Sequence, residues 1–291
     1  MENENEFTVG GNKTVNTPHD KLSAMMGNNP DIKPHMLEDM IDTEFPAITD
    51  TIELPSKGTF YANKQSHIKI KHLTAEDENI LTSADLIRSG KVLDVLLDNA
   101  IVDSSLNSDD MLTGDRNAVL LYLRKEGYGD LYPVKMTCPH CGEEFLDEVL
   151  ISSLQYKVVD KEPDSDGLFT INLPKTRWQI RFRLLNGKDE NYLVKAGEQK
   201  KKTKKNVGYS QNLTERFIRM IMSINGKTDK LQIKKAVENM PIGDSLFLRE
   251  YMRTVEPGID MEKEFTCSKC GENFEDTVPI TAKLFWPNAK I

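Results

Sequence analysis

Two Cys-x-x-Cys-Gly knuckles, set at matching places in a repeated stretch of sequence, constrain this chain more than any other feature. They read Thr137-Cys138-Pro139-His140-Cys141-Gly142-Glu143-Glu144-Phe145 and Thr266-Cys267-Ser268-Lys269-Cys270-Gly271-Glu272-Asn273-Phe274. The match continues to Val149 with Val278 and Ile151 with Ile280. It also runs backwards without a gap, pairing Gly114-Asp115 with Gly243-Asp244, Tyr122 with Tyr251, Arg124 with Arg253 and Gly129 with Gly258, at a constant offset of 129. Further upstream, Leu73, Asp77-Glu78-Asn79 and Leu81 align with Leu185, Asp189-Glu190-Asn191 and Leu193 at an offset of 112. Self-similarity of this kind reads as a tandem duplication. The second copy then carries 17 extra residues, for which the lysine-rich stretch 197–208 is the natural place.

Each copy reads as a β-hairpin, then helices, then a knuckle, so the expected class is α+β. In the second copy Phe169, Ile171 and Leu173, then Trp178, Ile180, Phe182 and Leu184, alternate with polar residues, as a hairpin with one buried face requires. In the first copy Ile52 with Leu54 and Ile68 with Ile70 form the corresponding arms. Thr74 with Asp77 three residues on predicts a helix start of capping-box type. Asp115 and Asp244 are expected to cap the helices leading to the knuckles by accepting from their free N–H groups. Gly127 or Gly129 is expected to stop the first of these helices. Val119, Leu120 and Leu123, and Phe247, Leu248 and Met252, supply the apolar stripes. The implied divisions are an acidic segment over 1–50, expected to be disordered, a first unit over 51–151, a linker over 152–167 and a second unit over 168–291.

Zinc prefers thiolate sulfur in a tetrahedron, and one Cys-x-x-Cys turn supplies two of the four ligands. With four cysteines in two equivalent places, the expected arrangement is one structural Zn2+ held by Cys138, Cys141, Cys267 and Cys270 across a pseudo-twofold axis. Whether the two knuckles meet within one chain or swap between chains stays open. Such a site has no open position for water or substrate, so it is structural and not catalytic. Reduced free thiols or a redox pair are the alternatives, but a redox pair normally occurs once, at a helix N-terminus in a βαβ unit. Gly142 and Gly271 are expected to let the turn's N–H groups approach the sulfurs. His140 reads as an exposed loop residue.

The net charge of −8 is unevenly placed: residues 1–50 carry −7 and the rest −1. A near-neutral body gives no general reason to expect duplex nucleic acid. No stretch approaches the ~20 apolar residues that span a bilayer. The first residues lack the apolar core of a signal peptide, so a reducing compartment is expected. His19, His35, His67, His72 and His140 do not cluster in sequence, and there is no P-loop, GxSxG elbow or HExxH. The chain is therefore read as not an enzyme; a metal-dependent nuclease using scattered carboxylates is the rival reading of that class. Asp109-Asp110 and Asp77-Glu78 read as helix-start charges. A second rival is a zinc-ribbon nucleic-acid binder using Lys200, Lys201, Lys202, Lys204 and Lys205, although no aromatic residues interleave there as stacking platforms do. In the acidic segment Leu22, Met25 and Met26, and Met36, Leu37, Met40 and Ile41, have the spacing of helix anchors for a partner groove or for the protein's own body.

With these residues in view, the chain resembles the baseplate hub assembly proteins of T4-like contractile-tailed phages. The resemblance runs from about residue 52 to the end and rests on Leu54-Pro55-Ser56-Lys57-Gly58-Thr59-Phe60-Tyr61, Leu73-Thr74-Ala75-Glu76, Ile80-Leu81-Thr82-Ser83 and Gly114-Asp115-Arg116-Asn117-Ala118. Gly127-Tyr128-Gly129, the knuckles and Phe285-Trp286-Pro287 complete it. It implies a non-enzymatic role in assembling other baseplate and hub proteins in the cytoplasm of the infected host, and leaves open whether the protein is retained in the virion tail. Self-association is left open, and the zinc site rests on the cysteines and not on the resemblance.

Overall fold

The protein is described from a computed structural model covering residues 46–102, 106–159, 161–203, 212–280 and 282–285, with the backbone alone for 198–203, 212 and 282–283. The expected anchors at 22–26 and 36–41, and the side chains of Lys200–Lys205, lie outside the described residues. The chain divides into Met1–Ile48 and Thr49–Ile291. Of the first unit only residues 46–48 are described, and they form no helix or strand.

The second unit mixes helices with small antiparallel sheets, an α+β architecture. Strands β1 (Thr49–Glu53) and β2 (His67–Lys71) pair with Ile52 opposite Ile68, and bury Ile52, Leu54, Ile68 and Ile70 on one face. Helices α1 (Ala75–Thr82), α2 (Ala84–Arg88) and α3 (Val92–Ala100) follow. The expected capping box forms: Asp77 Oδ2 accepts from the Thr74 N–H and hydroxyl, both at 2.8 Å. A 3-10 turn leads into α4 (Thr113–Tyr128), which ends at Gly129 with φ +85°. There the left-handed backbone favours glycine. Val119, Leu120, Leu121 and Leu123 are all buried, so α4 is enclosed on more than the single expected stripe. The buried Arg124 guanidinium donates to Gly129 O at 2.7 Å and Leu131 O at 2.9 Å, fixing the turn into strand β3 (Leu131–Thr137). Strand β4 (Glu144–Leu150) completes the first knuckle hairpin.

The second half repeats this order with additions. Strands β5 (Phe169–Asn172) and β6 (Gln179–Phe182) bury Phe169, Ile171, Ile180 and Phe182 as the alternation requires. After them come α5 (Gly187–Thr203), α6 (Asn212–Met220), β7 (Ile221–Ile224), α7 (Lys230–Glu238), α8 (Ile242–Val255), β8 (Glu262–Thr266) and β9 (Asn273–Thr277). Strand β7 joins β6 as a third strand, with Phe182 opposite Ile221. The first half has one antiparallel bridge at the matching place, Ile70 with Ile101. Between Ile101 and Ile221 the offset is 120, intermediate between 112 upstream and 129 downstream. Helix α8 differs from expectation too. Leu248, Met252 and Val255 are buried, but Phe247 is 41% exposed beside exposed Leu246, so it is not part of the buried stripe.

Asp115 and Asp244 do not cap their helices. Asp115 Oδ1 accepts from Ser56 N at 2.9 Å, and Oδ2 from Ser56 Oγ at 2.6 Å and Tyr61 Oη at 2.5 Å. Asp244 Oδ1 accepts from Lys175 N at 2.8 Å and Oδ2 from Thr176 N at 2.9 Å. Ser56 and Lys175 each stand two residues after the leucine of their Leu-Pro pair, so the same bond recurs in both halves. Each carboxylate ties the loop of a hairpin to a helix packed on it, because both groups are buried and need partners. Sequence spacing favours local caps; the hairpin loops offered unpaired N–H groups at closer quarters.

The halves share one continuous core. Thr113 N donates to Leu185 O at 3.2 Å and Gly187 N to Met111 O at 3.1 Å. Asp109 and Asp110, expected to serve helix starts, reach across to Asn191 at 3.0 Å and Lys188 at 2.6 Å. In the stretch expected to be a linker, Lys157 N donates to Gly258 O at 2.9 Å and Gln155 O accepts from Asp260 N at 2.7 Å.

Candidate metal centre

The two knuckle hairpins are built alike from the backbone up. In the first, Thr137 pairs with Glu144, Cys138 N donates to Glu143 O at 3.0 Å and Gly142 N to Cys138 O at 2.9 Å. In the second, Thr266 pairs with Asn273, Cys267 N donates to Glu272 O at 2.9 Å and Gly271 N to Cys267 O at 2.8 Å. Gly142 and Gly271 take φ +73° and +78°, and an added Cβ at either would meet nothing within 4 Å. These glycines serve the left-handed backbone of the turn, and in the second knuckle Lys269 N comes within 3.4 Å of Cys267 Sγ. Behind the knuckles, Phe145 and Phe274 meet edge to face at 6.0 Å and Tyr132 Oη donates to Pro279 O at 2.8 Å. The hairpins are thus held against each other by packing as well as at their tips.

At those tips the four sulfurs converge. Cys138 and Cys267 are buried, Cys141 and Cys270 exposed, and all four Sγ atoms lie within 4.8 Å of one another. Cys138 Sγ is 3.7 Å from Cys270 Sγ, and Cys141 Sγ is 3.8 Å from Cys267 Sγ. Exchanging the halves turns the first of these contacts into the second, as a twofold relation between the knuckles demands. A tetrahedron with metal–sulfur bonds near 2.3 Å has edges of about 3.8 Å. The two closest edges of this cluster match that length, and all four are free thiols. The donor set therefore fits a soft divalent cation, with each half supplying two ligands of one chain. Four thiolates would fill a tetrahedral shell and leave no position for substrate.

Electrostatics point the same way. Burial opposes ionisation of Cys267, yet the N–H groups of Cys270 and Lys269 and the adjoining thiols bring it down to about 7. Cys270 is helped by the N–H of Glu272, but burial and the neighbouring sulfurs push it up to about 12. Clustered thiols resist a second negative charge, and a central cation reverses that resistance. His140 is exposed on the first knuckle and does not belong to the group.

The remaining histidines form no site among the described residues: His67 is exposed, and His72 Nε2 lies 2.5 Å from Asp50 Oδ2. Sequence reasoning missed Ser56 and Tyr61 as partners of Asp115. The two partners stand in the run Leu54-Pro55-Ser56-Lys57-Gly58-Thr59-Phe60-Tyr61, where Ser56 and Tyr61 are the members that bond to Asp115. Within it Gly58 takes φ +75°, and an added Cβ would stand 2.5 Å from Lys64 O, so the loop admits no side chain there.

Fold and site together define a class: a mixed α/β protein whose two halves each end in a knuckle hairpin, the knuckles closing one four-thiol centre. The model of the T4 bacteriophage base plate protein family matches residues 47–286, and the chain belongs to that family. No curated protein and no solved structure matches it. Among the described residues no helix is long and apolar enough to cross a membrane.

Proposed function

We propose that the chain is a non-enzymatic structural or hub-assembly component of the phage baseplate, made of two copies of one module stapled by a single structural zinc ion. Family membership supports the baseplate role. The observation that carries the staple is the pair of cross-knuckle sulfur contacts at 3.7 and 3.8 Å. Duplication is supported by the recurring Asp-to-loop bond and by the matching hydrogen bonds of the two knuckles. Zinc is favoured over other soft cations because it takes four thiolates in a closed tetrahedron without redox chemistry. When bound, it ties the ends of both hairpins through metal–sulfur bonds, and the protein's own residues hold the thiols in place. The partners are other baseplate and hub proteins, met in the cytoplasm of the infected host.

Affinity capture of the tagged chain during infection tests the role. Stoichiometric recovery of baseplate or hub proteins is expected, and recovery of no tail protein refutes it. The nucleic-acid reading predicts binding that weakens steeply with salt, and no described residue favours it.

A further inference from the structure

The two knuckle hairpins have the same backbone, so their outward faces can be compared position by position. In β8–β9 the outward pairs are Glu262 with Thr277, Glu264 with Glu275, and Thr266 with Asn273. That face is polar and acidic, with two like charges directly opposite, an arrangement that costs stability and is tolerated in water. In β3–β4 the equivalent positions hold Pro133 opposite Glu148, Lys135 opposite Leu146, and Thr137 opposite Glu144, and one further outward pair, Leu131 opposite Leu150, extends the face. Leu131, Leu146 and Leu150 are 45, 75 and 49% exposed. The second hairpin carries Glu275 where the first has Leu146, and Asp260 where it has Leu131, so the fold needs no apolar side chain at either place. These exposed leucines are therefore not required by packing.

Beside Leu146 runs an open cleft of about 420 Å³, lined by Lys135, Glu144, Phe145 and Leu146 of the first hairpin and by Ser268 and Lys269 of the second knuckle. Lys135 pairs with Glu144, whereas the Lys269 ammonium has no ion-pair partner among the described residues. The cleft thus offers an apolar wall, the edge of a phenyl ring and one free cation. It exists only where both knuckles are held together, so its shape depends on the metal centre.

A second copy of this chain is a poor occupant. A seven-residue hairpin is roughly 20 Å long and 10 Å wide. It offers only about 200 Å² to a partner, against the ~800 Å² per side of a stable interface. A short segment needs no more than that. We propose that this face and Lys269 form a docking site for a segment of another baseplate subunit in which an apolar residue is flanked by carboxylates. The acidic face of β8–β9 repels such a segment, which restricts it to the first hairpin. The inference rests on the baseplate reading for the source of its partner.

The test presents the full-length, metal-loaded chain to an array of peptides tiling the other tail proteins of the same phage. The variants are Leu146→Glu, Lys269→Glu and, as a control on the other hairpin, Glu264→Gln. The expected result is capture of peptides with an apolar residue beside Asp or Glu, weakened at least about tenfold by the first two changes and unaffected by the third. Metal content stays equal in all four proteins, which separates surface loss from misfolding. Peptide capture indifferent to Leu146→Glu overturns the proposal, as does preference for basic peptides. Sedimentation showing that Leu146→Glu splits a homodimer also overturns it, by assigning the face to self-association. If infected-cell capture returns baseplate proteins with wild type and Leu146→Glu equally, the docking site falls and the baseplate reading stands. If neither returns any, the baseplate reading itself falls.

Discussion

Gly114 and Gly243 occupy the same position in the first turns of α4 and α8, yet replacing each by alanine should have opposite effects. A Cβ on Gly114 would fall inside the Pro257 carbonyl oxygen, and within 2.9 Å of Pro257 C and 3.0 Å of Gly258 Cα. All three obstacles are backbone of the other half, so relief requires moving one half against the other. Overpacking of that kind costs about 1–3 kcal/mol or more, and the helical preference for alanine returns about 1 kcal/mol. Because these contacts are at the severe end, Gly114→Ala should destabilise by about 2 kcal/mol net. A Cβ on Gly243 meets Lys175 Cε at 2.9 Å, the far end of a flexible side chain that can swing aside. There the propensity gain prevails, so Gly243→Ala should be neutral or stabilising by up to about 1 kcal/mol. Urea unfolding of the two metal-loaded variants reads the difference, with midpoint shifts in opposite directions at an unchanged slope. Equal midpoints, within about 0.5 kcal/mol after conversion by the slope, would refute the close approach of the halves at Gly114.

Two further predictions concern the recurring carboxylates. Burial holds Asp115 above its ordinary value of 3.8, outweighing its bonds from Ser56 and Tyr61. On acidification the folded state then takes up this proton before the unfolded chain does. The site gains stability as pH falls from the raised folded value towards 3.8, and loses it again as pH rises. The stability gap between wild type and Asp115→Asn should therefore move in favour of wild type as pH is lowered towards 3.8 in urea titrations, with metal content matched between the two proteins at each pH. A gap moving the other way contradicts the assignment. Asp244 is also penalised by burial, but the N–H groups of Lys175 and Thr176 with the Thr176 hydroxyl win and lower it. Its stabilisation is complete above 3.8 and is lost as pH falls through the lower folded value. At neutral pH Asp244→Ala should cost about 2 kcal/mol, since two N–H groups of the partly exposed Lys175–Thr176 loop lose a charged acceptor. Retained unfolding midpoints at unchanged metal content would show that the loop does not depend on that bond.

The hairpins, the capping box at Thr74 and the two Cys-x-x-Cys turns were legible because each follows from local periodicity or from spacing within a few residues. That the two knuckles meet was also expected from four cysteines in two equivalent turns, whereas their meeting within one chain, with Cys138 nearest Cys270, was not. What the sequence hid was non-local. Asp115 sits where a helix cap belongs, and nothing in its neighbourhood announces that Ser56 and Tyr61 will be nearer. The third strand at Ile221–Ile224 is four residues long and follows a helix without a break, so no alternation had room to appear. Phe247 fits a helical stripe by spacing, and only the placement of α8 on its neighbours turns it outward.

Metal content per folded chain, measured by elemental analysis on the purified protein alongside its native mass, bears most directly on the account. One zinc ion per monomer is predicted, with tight binding abolished in Cys267→Ser and cobalt substitution giving the intense visible bands of a tetrahedral thiolate site. A native protein free of metal, or one holding a separate ion at each knuckle, would contradict it.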